Sequence, residues 1–466
     1  MRRRLLHSIS AVVVPVSVMI AERSEGALNW DDTNYETAFE PENQRGPGSI
    51  GTLHQGLPGA SRARYDNPGS SNFHAAAPVL NLPGRGLDLV LNLTYNSRLW
   101  HKAGKRMYYD IDADWPAPGW SLGFGKLVAT GQGSMLVDAD GTRHPLTRQL
   151  KQETPGGNRV YIGHSRDGTF IDYELRESSG KPTWGQAKYP NGTIVEFTAP
   201  GSSAGALYPT RVVDANGNYI TIAYRSNTGP QLETITDTLG VGRVVRFYYD
   251  ANNLLTAITE PGLNGGTRDL VRLHYVSRKL EYEFSELVED AIAPETVWLI
   301  DAIYYPGNST GYWFGDPDSF SSYGMIAKVS EQRGMGFSAP SLNDQGAVTA
   351  GSMTRERVYN YPLKSDSTLK DAPAYTTMTE TWEGMDTPPA VTTYLVHPDW
   401  RPQRNGIVVA VIYPDGTRIE QYSYTKPSNS WLNGLVYQED ISLAERLMKR
   451  TSYTWGSLGT SVTTTI

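Results

Sequence analysis

A turn-and-strand unit that returns about every two dozen residues constrains this chain more than any other feature. Asp140-Gly141-Thr142-Arg143, Asp167-Gly168-Thr169-Phe170, Asn191-Gly192-Thr193-Ile194 and Asn216-Gly217-Asn218-Tyr219 succeed one another with their glycines 27, 24 and 25 residues apart. Asp415-Gly416-Thr417-Arg418 adds a copy far downstream. An Asp-Gly or Asn-Gly pair places the left-handed backbone of a tight hairpin at little steric cost. Aromatic and β-branched residues follow the pairs, and such residues suit a pleated surface. A hairpin with one apolar face cannot bury that face alone, so units of this kind must stack.

Strand periodicity supports the same reading. Leu87, Leu89, Leu91, Leu93 and Tyr95 share one parity against Asp88, Asn92 and Thr94. Ile171, Tyr173 and Leu175 alternate in the same way, as do Ile220, Ile222 and Tyr224, and Val245, Phe247 and Tyr249. Alternation over such runs marks half-buried strands. Tyrosine (28), tryptophan (11) and glycine (46) are plentiful and only 20% of residues are charged, a balance of strands and turns. The expected fold is all-β, with stacked β-hairpin repeats forming a spiral or partial shell.

Net charge is −7 over 466 residues with acids and bases interspersed. No basic face marks a nucleic-acid partner. Cysteine is absent, which removes disulfides and thiolate metal sites. Arg2-Arg3-Arg4 precedes an apolar run from Leu5 to Ala21, so residues 1–26 read as a signal peptide, too short and too broken for a membrane span. The chain is therefore expected to be secreted or held at a cell surface. Residues 27–75 read as a flexible Gly/Pro-rich leader, 76–265 as the densest hairpin repeats, and 266–404 as an irregular, aromatic and loop-rich continuation. Residues 405–466 read as further hairpins that stop in mid-strand, as in a truncated repeat protein. Glu281 to Ala293 fits a short helix or an acidic loop. Glu439 to Arg450 fits a hairpin better than its capping-box match at Ser442 to Glu445.

Tyr248-Tyr249-Asp250-Ala251-Asn252-Asn253-Leu254-Leu255 resembles the repeat signature of the RHS/YD-repeat family of large bacterial surface and toxin proteins, and Asp214 to Asn218 is similar to a second copy without the tyrosine. Leu87 to Ser97, Pro118 to Gly123 and Asp138 to His144 are similar to the opening segment of such proteins. The resemblance implies a β-strand spiral closing into a hollow shell. In toxin members the shell encloses a C-terminal effector, and surface members act in adhesion or contact-dependent competition. Effector-bearing members end in an Asp-Pro-x-Gly-Leu cleavage motif. Here Asp316-Pro317-Asp318 lacks the Gly-Leu and lies mid-chain, so no protease residue is carried over.

Other motifs carry less chemistry. Gly201-Ser202-Ser203-Ala204-Gly205 matches a nucleophile elbow but runs into another strand, where the elbow needs a helix. Gly46 to Gly51 has dinucleotide-loop spacing without a preceding strand. Asp110, Asp112 and Asp114 alternate as calcium ligands can, yet Trp115-Pro116 stand where such a loop needs glycine. The histidines are scattered, without a zinc motif. The resulting expectation is a non-catalytic protein with no cofactor and no metal. Its structural signature is Tyr249, Asp250, Gly141, Gly168, Gly192, Gly217 and Gly416, and its partners are further repeats, a C-terminal effector or a cell-surface component. The alternative is a secreted carbohydrate-binding or adhesive β-protein, complete at this length, that stacks a glycan on Tyr312, Trp313 and Phe314.

Overall fold

The computed structural model describes residues 65–67 and 72–465, apart from 104–105, 111–113, 130–132, 140, 155, 167–168, 201–205, 226–229, 241, 286–287, 290–294, 316, 363–368, 370–371, 400–405, 425–435 and 457–458. The expected signal peptide, most of the leader, Ser203, Asp112 and Gly168 lie outside the described residues.

The fold is all-β. One sheet of 25 strands dominates, and the described residues contain no α-helix, only 3-10 turns at Leu263–Gly265 and Pro317–Ser319. From Gln149–Thr154 to Gly459–Thr465 each strand of this sheet pairs antiparallel with the next one in it. This is a chain of stacked hairpins. Three further strands, Lys126–Ala129, Ser134–Val137 and Arg143–Leu146, join through Val128 and Leu127, which pair with Ala206 and Leu207. Strands twist against one another, so a sheet this wide curls. Its apolar parity faces inward, with Tyr173, Leu175, Ile220, Ile222, Val245, Phe247, Tyr249, Val271, Leu273 and Tyr359 all buried in one core.

The N-terminal segment fills that curl. Strands Asn72–Leu82 and Leu89–Asn96 form a hairpin, with Trp120–Leu122 paired on its far side. Leu89, Leu91, Leu93 and Tyr95 are all at most 1% exposed, while Val90 is 46% exposed, as the alternation requires. The hairpin lies across the strands of the large sheet. Its turn donates from the Arg85 amide to Thr238 Oγ1 at 2.6 Å and accepts at the Pro83 carbonyl from Arg243. At its other end the Phe73 ring stacks on Tyr359, with centroids 4.3 Å apart. Between Leu232–Thr236 and Ser352–Asn360 lie roughly seven strand spacings, or about 34 Å. An 11-residue strand spans about 36 Å. The N-terminal hairpin is therefore as long as the floor it covers.

Two segments differ from the sequence reading, and a third resolves an alternative that it leaves open. Regular structure begins at Tyr65–Asn67 and Asn72–Leu82, inside the stretch expected to be leader, because tertiary pairing orders it. The span 266–404 is more regular than its blurred period suggests, holding Thr267–Lys279, Thr296–Tyr305, Lys328–Arg333, Ser352–Asn360, Thr377–Trp382 and Ala390–Asp399. Where helix and loop were both open for Glu281 to Ala293, its described part is coil with a two-residue strand, Val288–Glu289, parallel to Arg106–Met107. Glu439 to Arg450 forms the hairpin expected of it.

Candidate functional site

The repeat turn has one construction. In Asp138–Thr142, Tyr189–Thr193, Asp214–Asn218, Asp250–Leu254 and Tyr413–Thr417, the first amide donates to the fifth carbonyl, and the fourth amide donates to the first carbonyl. The fourth residue is left-handed, with φ of 86° at Gly141, 84° at Gly192, 85° at Gly217, 63° at Asn253 and 83° at Gly416. This is a three-residue hairpin loop closed by a glycine-type bulge.

In the Asp-first copies at 214 and 250 the carboxylate caps the loop. Asp214 Oδ1 accepts the Asn216 and Asn218 amides at 2.8 Å each, and Oδ2 accepts Asn218 Nδ2 at 2.8 Å. These bonds, the Asn218 side chain foremost, hold the Asp214 carboxyl below its ordinary range against the opposing pull of desolvation. Asp250 Oδ1 accepts the Asn252 and Leu254 amides at 2.9 Å each. The capping aspartate stands three residues before the left-handed position. The sequence signal for this cap is an Asp-x-x-Gly spacing, present at 138, 214 and 237, and not the Asp or Asn adjacent to the glycine.

Tyr249 completes the signature. Its ring is buried, and its hydroxyl donates to the Leu232 carbonyl at 2.5 Å, which ties the strand Val244–Tyr249 to the start of its neighbour. Burial pushes that hydroxyl well above the usual tyrosine range; Tyr275 adds to the shift and Arg225 opposes it. Arg225 sits 4.4 Å over the ring.

A strap closes over this turn from outside the meander. Strands Gly336–Ser338 and Ala347–Thr349 pair with each other, and the loop between them lies on the Tyr249 hairpin. Asn343 Nδ2 donates to the Tyr249 carbonyl at 2.9 Å, and Gln345 Nε2 donates to Asp250 Oδ2 at 2.8 Å. Gln345 Oε1 accepts the Tyr275 amide at 3.1 Å, and the Leu342 carbonyl accepts Thr256 Oγ1 at 2.6 Å. Register shifts fall at Tyr248/Tyr249 and at His274/Tyr275. Such bulges open backbone groups that the ladder no longer serves, and the strap side chains serve them here.

The seam between hairpin and sheet is aromatic. Rings follow one another from Phe314 to Trp120, Tyr95, Phe73, Tyr359, Tyr375 and Tyr394, with centroids between 4.3 and 6.1 Å apart. Tyr95 Oη accepts the Ile326 amide at 2.9 Å, and Trp100 Nε1 donates to the Tyr323 carbonyl at 2.9 Å. Beside the seam lies a cavity of about 40 Å³, with Ala75, Ala76 and Ala77 on one side and Glu331 and Arg357 on the other. That volume is room for two or three waters. Arg357 pairs with Glu331 at 3.4 Å and with Glu380 at 2.7 Å, and Glu380 also holds Arg355 at 2.6 Å.

The expected aromatic platform divides across the sheet. Tyr312 and Trp313 are successive strand residues and face opposite sides. Phe314 is 2% exposed against Trp120. Tyr312 lines the cavity. Asp110 Oδ1 caps the Asp114 amide at 3.1 Å. His144 pairs with Asp138 at 3.0 Å, and His274 with Asp301 at 2.6 Å. Among the described residues no group of three or more His, Asp or Glu is arranged to hold a metal, and no helix is long and apolar enough to cross a membrane.

No protein-family model and no curated protein matches the sequence. Among solved structures, the crystal structure of TcdB2–TccC3 is similar over 87% of this chain and 22% of that chain, at 12% identity and a TM-score of 0.28. The Photorhabdus luminescens Tc holotoxin pore is similar over 78% of this chain and 18% of that one, at 12% identity and a TM-score of 0.27. The N-terminal domain of the effector protein SpvB from Salmonella typhimurium strain LT2 is similar over 66% of this chain and 99% of that one, at 14% identity and a TM-score of 0.23. This chain spans about a fifth of the length of the two toxin chains. The fold described above rests on the chain's own strand pairing, not on these scores.

Proposed function

We propose that this chain is a non-catalytic wall segment of a YD-repeat shell, exported, which encloses or presents a C-terminal effector or serves in cell-surface contact. One observation carries the reading: the same five-residue turn closes five hairpins of the large sheet, and at Asp250 it is built from the residues of the YD signature. A turn used in this way propagates a sheet and creates no cleft. The chain's own N-terminal hairpin packs against the inner face of the large sheet, with Phe73 stacked on Tyr359. Engagement of Phe314 in the core makes a glycan platform at 312–314 the weaker alternative.

The test is native proteolysis of the complete product of the reading frame. The proposal expects the wall to resist trypsin and to shield a segment that is cut only after denaturation. Digestion of everything beyond the meander at the rate of an unfolded chain would overturn it.

A further inference from the structure

The strap is an excursion from the large sheet and no part of its ladder. Arg333 and Ser352 pair directly between Lys328–Arg333 and Ser352–Asn360, so the sheet is continuous without the residues between them. Gly334, with φ of 66°, and Gly351, where a Cβ would lie 2.1 Å from the Arg333 carbonyl oxygen, let the two ends of the excursion meet. Strands Gly336–Ser338 and Ala347–Thr349 form a separate two-stranded sheet. A lone hairpin of this size is marginally stable at best, so the strap keeps its shape by docking.

That docking is shallow and mostly polar. None of residues 336–349 is buried. The Phe337 ring stacks on Tyr304 with centroids 5.5 Å apart, and the Arg272 guanidinium lies 5.3 Å from it. Arg272 Nη1 also donates to the Ser341 carbonyl at 3.2 Å, beside the bonds already described for Leu342, Asn343 and Gln345. The groups that receive the strap are fixed without it. The Tyr249 carbonyl and the Tyr275 amide sit at bulges set by the ladders of the large sheet. Asp250 is held by its own turn, and Arg272 by Asp269 at 2.7 Å. Gln345 uses both ends of its carboxamide, donating to Asp250 and accepting the Tyr275 amide. A carboxylate there would face Asp250 with like charge, and an ammonium could not accept an amide.

We infer that the outer face at Tyr249, Thr256, Arg272 and Tyr275 is a peptide-binding site that the strap occupies in cis. The partner it fits is an extended segment with an aromatic residue and, six and eight residues further on, two carboxamides, as Phe337, Asn343 and Gln345 supply them. Such a segment must displace the strap, so it binds more weakly by the fraction of chains in which the strap is off. This inference stands apart from the shell reading, since it uses only the strap and the groups beneath it.

The test is fluorescence anisotropy with a labelled peptide of residues 336–349, titrated with the full chain and with a full chain in which Gly-Gly replaces those residues. The replaced chain should unfold cooperatively in urea, as the wild type does, and should bind the peptide. The wild type should bind it at least about tenfold more weakly, since an open state populated at about 10% or less imposes that factor. A peptide carrying N343A/Q345A should lose binding, and Thr256→Val in the replaced chain should weaken binding of the parent peptide by removing the donor to Leu342. A replaced chain that does not fold overturns the inference, because the strap is then an integral part of the sheet. So does a folded replaced chain that ignores the peptide, equal binding by wild type and replaced chain, or equal binding of the two peptides.

Discussion

The Tyr95 hydroxyl accepts the Ile326 amide at 2.9 Å across 231 residues of sequence. That bond joins the N-terminal hairpin, at the aromatic seam, to the segment that leads into strand Lys328–Arg333 of the large sheet. Removing the hydroxyl in Tyr95→Phe strands a buried amide, which should cost about 1–3 kcal/mol in urea unfolding. Removing a seam ring in Trp120→Ala should cost about 3–5 kcal/mol. Equal stability of both variants and wild type would remove the seam from the account.

Stability should fall at alkaline pH. Burial raises the hydroxyls of Tyr95, Tyr109, Tyr224 and Tyr275 well above their ordinary value. Below about pH 10 both folded and unfolded chains keep these protons, so the stabilisation is fully present. Above it the unfolded chain loses them first, and stability declines by up to about 1.4 kcal/mol per pH unit for each tyrosine. Urea midpoints between pH 8 and pH 11 measure the slope.

The repeat turn predicts its own mutational pattern. Asp250→Ala removes the cap of two amides and the bond from Gln345, and should cost about 2–3 kcal/mol. Gly217 has φ of 85° with open space around its missing Cβ, so Gly217→Ala carries backbone strain alone, about 1–2 kcal/mol. Asn253→Gly should be neutral within a few tenths of a kcal/mol or mildly stabilising, since glycine accepts the same conformation freely. Thermal unfolding of the three variants orders them.

Gln345→Ala should act locally. Its side chain serves the Tyr275 amide and the Asp250 carboxylate, so its loss releases the strap from the Tyr249 hairpin. Hydrogen exchange should accelerate across 339–346 and at Tyr275, and stay unchanged along Gln149–Thr154.

Acid should loosen the charged end of the seam. Burial alone would raise Glu380, but hydrogen bonds and charge from Arg357 and Arg355 outweigh it and hold the carboxyl below its ordinary range. The stabilisation is therefore present above the unfolded carboxylate value and is lost as pH falls through the lower folded one. Glu380→Gln should flatten that part of the acid limb in a pH series of urea midpoints.

The local structure was legible where one rule governs it. Parity placed Leu89 to Tyr95 and Val245 to Tyr249 with the right residues buried, because one face of each strand meets a core. The left-handed glycines were legible at 141, 192, 217 and 416, because a tight turn restricts them. The N-terminal hairpin across the sheet was not legible, since Phe73 meets Tyr359 through tertiary packing that leaves no local pattern. The strap at 336–349 escaped for the same reason: its bonds run from side chains to backbone groups freed by bulges elsewhere. Phe314 looked like part of an exposed cluster because its partner, Trp120, is remote in sequence.

The most direct test of the central claim is a cryo-EM reconstruction of the complete gene product at side-chain resolution. The account predicts one continuous antiparallel wall through 149–465, with the 72–96 hairpin seated across its inner face, Tyr95 against Ile326, and non-wall polypeptide enclosed beyond it. Separate lobes with the hairpin on the outside, or a closed domain with nothing but solvent beyond the hairpin, would contradict it.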